Sequence, residues 1–304
     1  MYIPSAYYRK KALAALKGRW QTALLVALIV NLPTLLMQGF SVFTGNDLMD
    51  RLQAIVISAS RDGVMTQQLL LDEINAFLYS TGFWTVRGLE FLAWLVTPCL
   101  TLGMYKWVLD RLDNLDDPVS TVFSRMRLFL KAIGLQLLVI LKVLLWALPG
   151  LAVMGYMIWP VFRSVNVQEQ LAALQRSYNM TLPVILLTAV PAVMAALRYA
   201  MSEYIMAEEP GSGILFCIRR SKELMKDQKR SLFLLLVSFL LWYLLEMLVA
   251  SMLPGVLSLV FQMLAGLALS VYMAGSIGAF YLRLKESYAR SGGPDAEPEA
   301  EELN

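Results

Sequence analysis

The residues with chemistry to offer are few. No histidine occurs among the 304 residues, which removes the commonest general base, the commonest zinc ligand and the side chain that titrates near neutral pH. Two cysteines, Cys99 in an apolar run and Cys217 in a basic one, cannot hold a metal by themselves and read as free, inert thiols. What remains are charges set inside apolar runs, each costing at least about 2.5 kcal/mol near a bilayer centre unless partnered or hydrated. Lys142, Arg198 and Glu203 form one set on the basic-flanked side. With a helical rise of about 1.5 Å per residue, the first two sit roughly 12–15 Å inside their runs and Glu203 nearer the surface. Facing a cavity, they would receive an anionic headgroup or solute. The alternative is that Lys142 snorkels to the surface and that Arg198 and Glu203 make a structural ion pair. Arg87, Glu90 and Glu246 form an opposite layer, where Glu246 is expected to pair with Arg87 across helices.

A third set is interfacial. Residues 210–226 place Ile214, Ile218, Ser221 and Met225 on one side of a helix, with Arg219, Lys222 and Lys226 toward another. Together with Arg220 this basic face is expected to contact anionic lipid headgroups, at about 1 kcal/mol per basic residue. The competing reading is that these charges only orient the chain.

The elements that must position these residues are membrane helices. The hydrophobic content of 58% and charged content of 16% fall outside the globular range, and the apolar residues come in long blocks. Six spans are expected, at about 22–40, 89–106, 133–159, 181–206, 231–253 and 256–282. Pro33 should bend the first, and Pro149-Gly150 should kink or end the third. The first run follows a long basic segment and lacks a small-residue cleavage site, so it reads as a retained helix and not a signal peptide. Residues 41–82 form an outer polar loop with two amphipathic patterns. Residues 291–304, with five acids and no aromatic, read as a disordered tail. Residues 1–290 thus form a single all-α membrane domain.

Lysine and arginine set the orientation. The N-terminal segment carries five, residues 106–131 five and residues 219–230 six, against two in 41–82, two in 163–180 and none around Pro254. Both termini are therefore expected in the cytoplasm. Asp117 and Pro118 read as N-cap and first residue of a short helix that lines up Val119, Val122, Phe123 and Met126. Small residues along the sixth span, Gly266, Ser270, Ala274, Gly275 and Gly278 among them, suit close packing within the chain.

An internal repeat is visible. Asp116-Asp-Pro-Val-Ser-Thr-Val-Phe123 aligns with Glu208-Glu-Pro-Gly-Ser-Gly-Ile-Leu215, and Ala15-Leu-Lys-Gly18 with Leu224-Met-Lys-Asp227. This points to three units of interfacial helix, helix out and helix back. The same pieces carry a resemblance. Ala15-Leu-Lys-Gly-x-Trp20, Arg198-Tyr-Ala-x-x-x-Tyr204 leading into Glu208-Glu-Pro, Ser221-x-x-Leu-Met-Lys226, Leu232-Phe233 and Ser238-Phe-x-x-Trp242 resemble the bacterial membrane family catalogued as domain of unknown function 975. The resemblance covers nearly the whole chain outside the outer loop and tail, and departs from the usual glycine after Met-Lys, where this chain has Asp227. It implies a multi-span inner-membrane protein distantly like the membrane domains of some glycerophosphodiester phosphodiesterases, and it supplies no activity.

With no nucleophile beside a base and no clustered acids in a span, an enzyme is the weakest expectation. A non-enzymatic bacterial plasma-membrane component that contacts lipids or organises the membrane is the first, and a transporter of small solutes or amphiphiles through Lys142, Arg198 and Glu203 the second. No cofactor, metal or nucleic acid is expected; the partners are membrane lipids or another membrane protein.

Overall fold

A computed structural model describes residues 4–44, 79, 81–163 and 167–290. The described residues are helical with no strand: α1 (Ser5–Leu16), α2 (Trp20–Thr44), α3 (Thr81–Leu112), a 3-10 helix (Val119–Leu128), α4 (Phe129–Arg163), α5 (Val167–Tyr199), α6 (Ser202–Glu208), α7 (Ile214–Leu224), α8 (Lys229–Met252) and α9 (Gly255–Arg290). Among the described residues six stretches are long and apolar enough to cross a membrane: Trp20–Met37, Phe83–Leu112, Val119–Met157, Pro183–Glu208, Lys229–Met252 and Gly255–Arg290. The amphipathic patterns expected within 45–78 and the tail 291–304 lie outside the described residues.

Three times a short element, α1, the 3-10 helix or α7, precedes a pair of long helices. The aligned positions behave alike. Gly18 and Asp227 both adopt the left-handed backbone, with φ of 77° and 62°, and each stands two residues before a long helix. That conformation explains why glycine suits the site and why aspartate is among the few side chains that tolerate it. Asp116 and Glu208, aligned at the other motif, both bind basic side chains, Asp116 through Arg19 and Arg111 and Glu208 through Lys285.

The core gathers at the end where the basic connections lie. It takes the first half of α2 (Ala23, Val26, Val30), the second half of α3 (Cys99 to Leu112), the start of α8 (Leu232, Leu235, Phe239) and the later half of α9 (Val271 to Leu284). There α1 packs on α9 through Tyr8, Ala12 and Leu16, with Ala12 against Gly275. Leu13 of the same helix is exposed. At Gly103 the Val122 carbonyl lies so near the α3 backbone that a Cβ would overlap it.

Several boundaries differ from the sequence expectation. α4 runs through Pro149-Gly150 without ending, and α5 begins at Val167, extending into the polar interval. The segment after Pro118 is a 3-10 helix, with Pro118 itself at the N-cap position. Its three-residue turn stacks Val119, Val122 and Arg125, so Val122 is buried while Phe123 and Met126 are exposed. Arg125 turns inward and donates to the Ala207 carbonyl from Nε at 3.0 Å and Nη2 at 2.7 Å. The fourth span breaks at Ala200-Met201, and α6 follows as a separate turn.

Candidate functional site

That break positions the site. Ser221 of α7 donates from its hydroxyl to the Arg198 carbonyl at 3.1 Å and accepts from the Met201 amide at 3.2 Å, satisfying backbone groups that the interrupted helix leaves open. α7 is thereby fixed across the end of α5. Its helical period buries Cys217, Ile218, Ser221 and Leu224 and turns Arg219 and Lys222 outward. The turn after it exposes Lys226 and brings up Lys229 at the start of α8.

The result is a cleft of about 440 Å³ lined by Arg198, Arg219, Lys222, Glu223, Lys226 and Lys229. Its single acid is engaged elsewhere: Arg220 Nη1 stands 3.6 Å from Glu223, and the Tyr288 hydroxyl donates to the same carboxylate at 3.4 Å. Among the described residues none of the five cations lies within ion-pair distance of a carboxylate. Five positive groups beside one carboxylate that is already engaged suit a multiply charged anion, since their mutual repulsion falls when one binds.

The structure regroups the residues singled out by sequence. Arg198 belongs to this cleft and does not meet Lys142 or Glu203. Glu203 sits against Tyr105, beside a stack in which the Tyr105 and Tyr204 rings are 4.2 Å apart and Tyr204 and Tyr281 are 5.9 Å apart. Lys142 is half-buried on α4 with no ionic or hydrogen-bonding partner among the described residues. Arg220, grouped by sequence with the headgroup contacts, is 9% exposed, and its guanidinium stands 3.9 Å from the centre of the Tyr288 ring. It fastens α7 to α9. At the opposite end Arg87 pairs with Glu90 at 2.8 Å on its own helix, and not with Glu246. That i,i+3 contact lies within one turn and needs no second helix. Glu246 lines a separate cleft between α8 and α9.

Sequence reasoning missed Lys229 as a cleft residue, although its spacing of three from Lys226 puts both near one turn. It also missed the latches around Glu208 and Pro210. Tyr281 donates to Glu208 at 2.6 Å, Lys285 donates to the other Glu208 oxygen at 2.8 Å, and Lys131 donates to the Pro210 carbonyl at 3.2 Å. Both cysteines are free and buried. Burial, with the Glu209 charge adding to it, pushes the Cys217 thiol up to about 11, far from the thiolate that reactivity needs. Among the described residues no group of three or more metal-ligating side chains comes together.

Fold and site together describe a helical protein with six membrane-length apolar helices and a cationic cleft at its basic end. The chain belongs to the family described as "Protein of unknown function (DUF975)", which matches residues 3–288. No curated protein and no solved structure matches it.

Proposed function

We propose that this is a non-enzymatic, multi-pass protein of the bacterial plasma membrane that holds anionic phospholipid headgroups in the basic cleft, with both termini in the cytoplasm. One observation carries the reading: Arg198, Arg219, Lys222, Lys226 and Lys229 share one cleft without a free acid among them. Leu215 and Phe216 of α7 are 66% and 48% exposed, which suits a helix whose apolar side chains enter the acyl region while its cations meet phosphates. The transporter alternative draws less support, because Lys142, Arg198 and Glu203 sit in three different environments. A membrane-protein partner could occupy the same basic surface, and would compete with lipid there.

Native mass spectrometry of the full chain in detergent, with phosphatidylglycerol and phosphatidylcholine of matched acyl chains, tests the reading. Anionic lipid should be retained preferentially, and less so as salt rises. At about 1 kcal/mol per cation, replacing Arg219, Lys222 and Lys226 together by Gln should weaken retention on the order of a hundredfold. Arg220 should be left intact because it is buried. Equal retention of both lipids, unmoved by salt or by the triple substitution, would remove the reading.

A further inference from the structure

The cleft at the other end of α8 and α9 has a different chemistry. It holds about 400 Å³ and is lined by Tyr243, Glu246, Ser251, Ser258 and Gln262 together with apolar neighbours. Both serine hydroxyls are already committed as donors: Ser258 donates to the Ala250 carbonyl at 2.7 Å and Ser251 to the Leu248 carbonyl at 2.7 Å. With its proton so used, Ser258 Oγ can only accept, and Gln262 Nε2 donates to it at 3.0 Å. That contact fixes the Gln262 amide with its Oε1 left over as an acceptor. Glu246 has no ionic or hydrogen-bonding partner among the described residues.

Apart from the Tyr243 hydroxyl and the second amide hydrogen of Gln262, the polar atoms of this wall therefore offer lone pairs: two carboxylate oxygens, Gln262 Oε1 and Ser251 Oγ. Glu246 lies six residues before the end of α8 at Met252, roughly 9 Å along the helix axis. A carboxylate at that depth among apolar helices is costly unless a cation or water meets it. A single carboxylate with neutral acceptors around it matches one positive charge that also donates several hydrogen bonds.

We propose that this cleft binds a protonated primary amine. The amine could be the headgroup of an aminophospholipid or a free amphiphilic amine, and both present the same –NH3+ group. A trimethylammonium group carries the same charge but no N–H, so it satisfies Glu246 by Coulomb attraction alone and leaves Gln262 and Ser251 unmatched.

The test uses the purified full chain in detergent in two arms. The lipid arm compares phosphatidylethanolamine with phosphatidylcholine of the same acyl chains by native mass spectrometry. The soluble arm compares dodecylammonium with dodecyltrimethylammonium by equilibrium binding. The primary amine should be favoured by about tenfold, the discrimination expected of charge-assisted hydrogen bonds. Preference in the lipid arm alone identifies a headgroup, and preference in the soluble arm identifies a free amine. Glu246→Gln should abolish the preference and Gln262→Leu should reduce it, each in a variant shown by thermal melting to be folded. The triple Gln variant of the basic cleft should leave it unchanged, so that this site and the anionic one fail separately. Equal binding of primary and quaternary amines in both arms, or a preference that survives Glu246→Gln, overturns the proposal.

Discussion

The two ends of this bundle are held together differently. At the basic end, side chains from distant parts of the chain interlock: Tyr204 donates to the Ala274 carbonyl at 2.9 Å, Lys285 donates to Glu208 at 2.8 Å, and Arg125 reaches the Ala207 carbonyl at 2.7 Å. At the opposite end the helices present leucine, valine and methionine outward, with Leu241, Met247, Val256 and Leu259 all more than half exposed. The most apolar stretch within Phe83–Leu112 is 50% buried, against 6% within Val119–Met157 and 17% within Lys229–Met252. Lipid tails are as apolar as leucine, so burying leucine between helices yields little there. Stability must come from polar latches and close packing, which this chain concentrates where its connections are.

Breaking that contrast should give its largest effect at Tyr204. The side chain is 2% exposed and stacks on two tyrosines. Tyr204→Ala should cost about 3–5 kcal/mol through the cavity and the lost hydrogen bond. Leu257→Ala, at a position 56% exposed, should change stability by less than about 0.5 kcal/mol. Thermal unfolding of both variants in one detergent compares them directly, and similar losses would mean that the opposite end is packed as firmly as the basic one.

A smaller effect is expected at Gly103, where the obstacle to a side chain is the backbone carbonyl of Val122 and cannot be relieved by a rotamer change. Gly103→Ala should push the 3-10 helix away from α3 and cost about 1–3 kcal/mol. Because Arg125 sits on that 3-10 helix, the displacement should also loosen its hold on Ala207, visible as faster amide exchange in residues 200–209. Unchanged exchange there, with stability intact, would show that the two elements are not coupled through this contact.

Much of the fold is legible in the sequence because it rests on block length and charge placement. The six apolar runs and the basic connections need no tertiary information. The face of α7 was readable too, since Ile218 and Ser221 follow the helical period. The limits have physical causes. Arg220 and Arg219 are adjacent and equally charged, and the Tyr288 ring that covers the Arg220 guanidinium lies 68 positions later, where local sequence cannot announce it. The exposure of Phe123 and Met126 follows from a three-residue turn that no local residue announces. The break at Ala200 is held by Ser221, a residue of another helix, and the partners of Arg125 and Lys131 are carbonyls, which every residue possesses. Arg198 therefore read as an intramembrane charge when its place is in the cleft beside α7.

The smallest effect should fall on Lys142. It is the charge furthest into an apolar run from the basic side, yet its neighbours Leu141, Leu144 and Leu145 are each about half exposed and no partner among the described residues meets its ammonium. Two forces nearly cancel at such a position: leucine would suit the lipid better, but a snorkelling lysine has already recovered much of its solvation. Lys142→Leu should leave the unfolding free energy within about 0.5 kcal/mol of the parent chain and anionic-lipid retention unchanged. A loss as large as that of Gly103→Ala would mean that Lys142 has a polar partner in the bundle. The polar latches would then extend well beyond the basic end, and the contrast between the two ends would be one of degree.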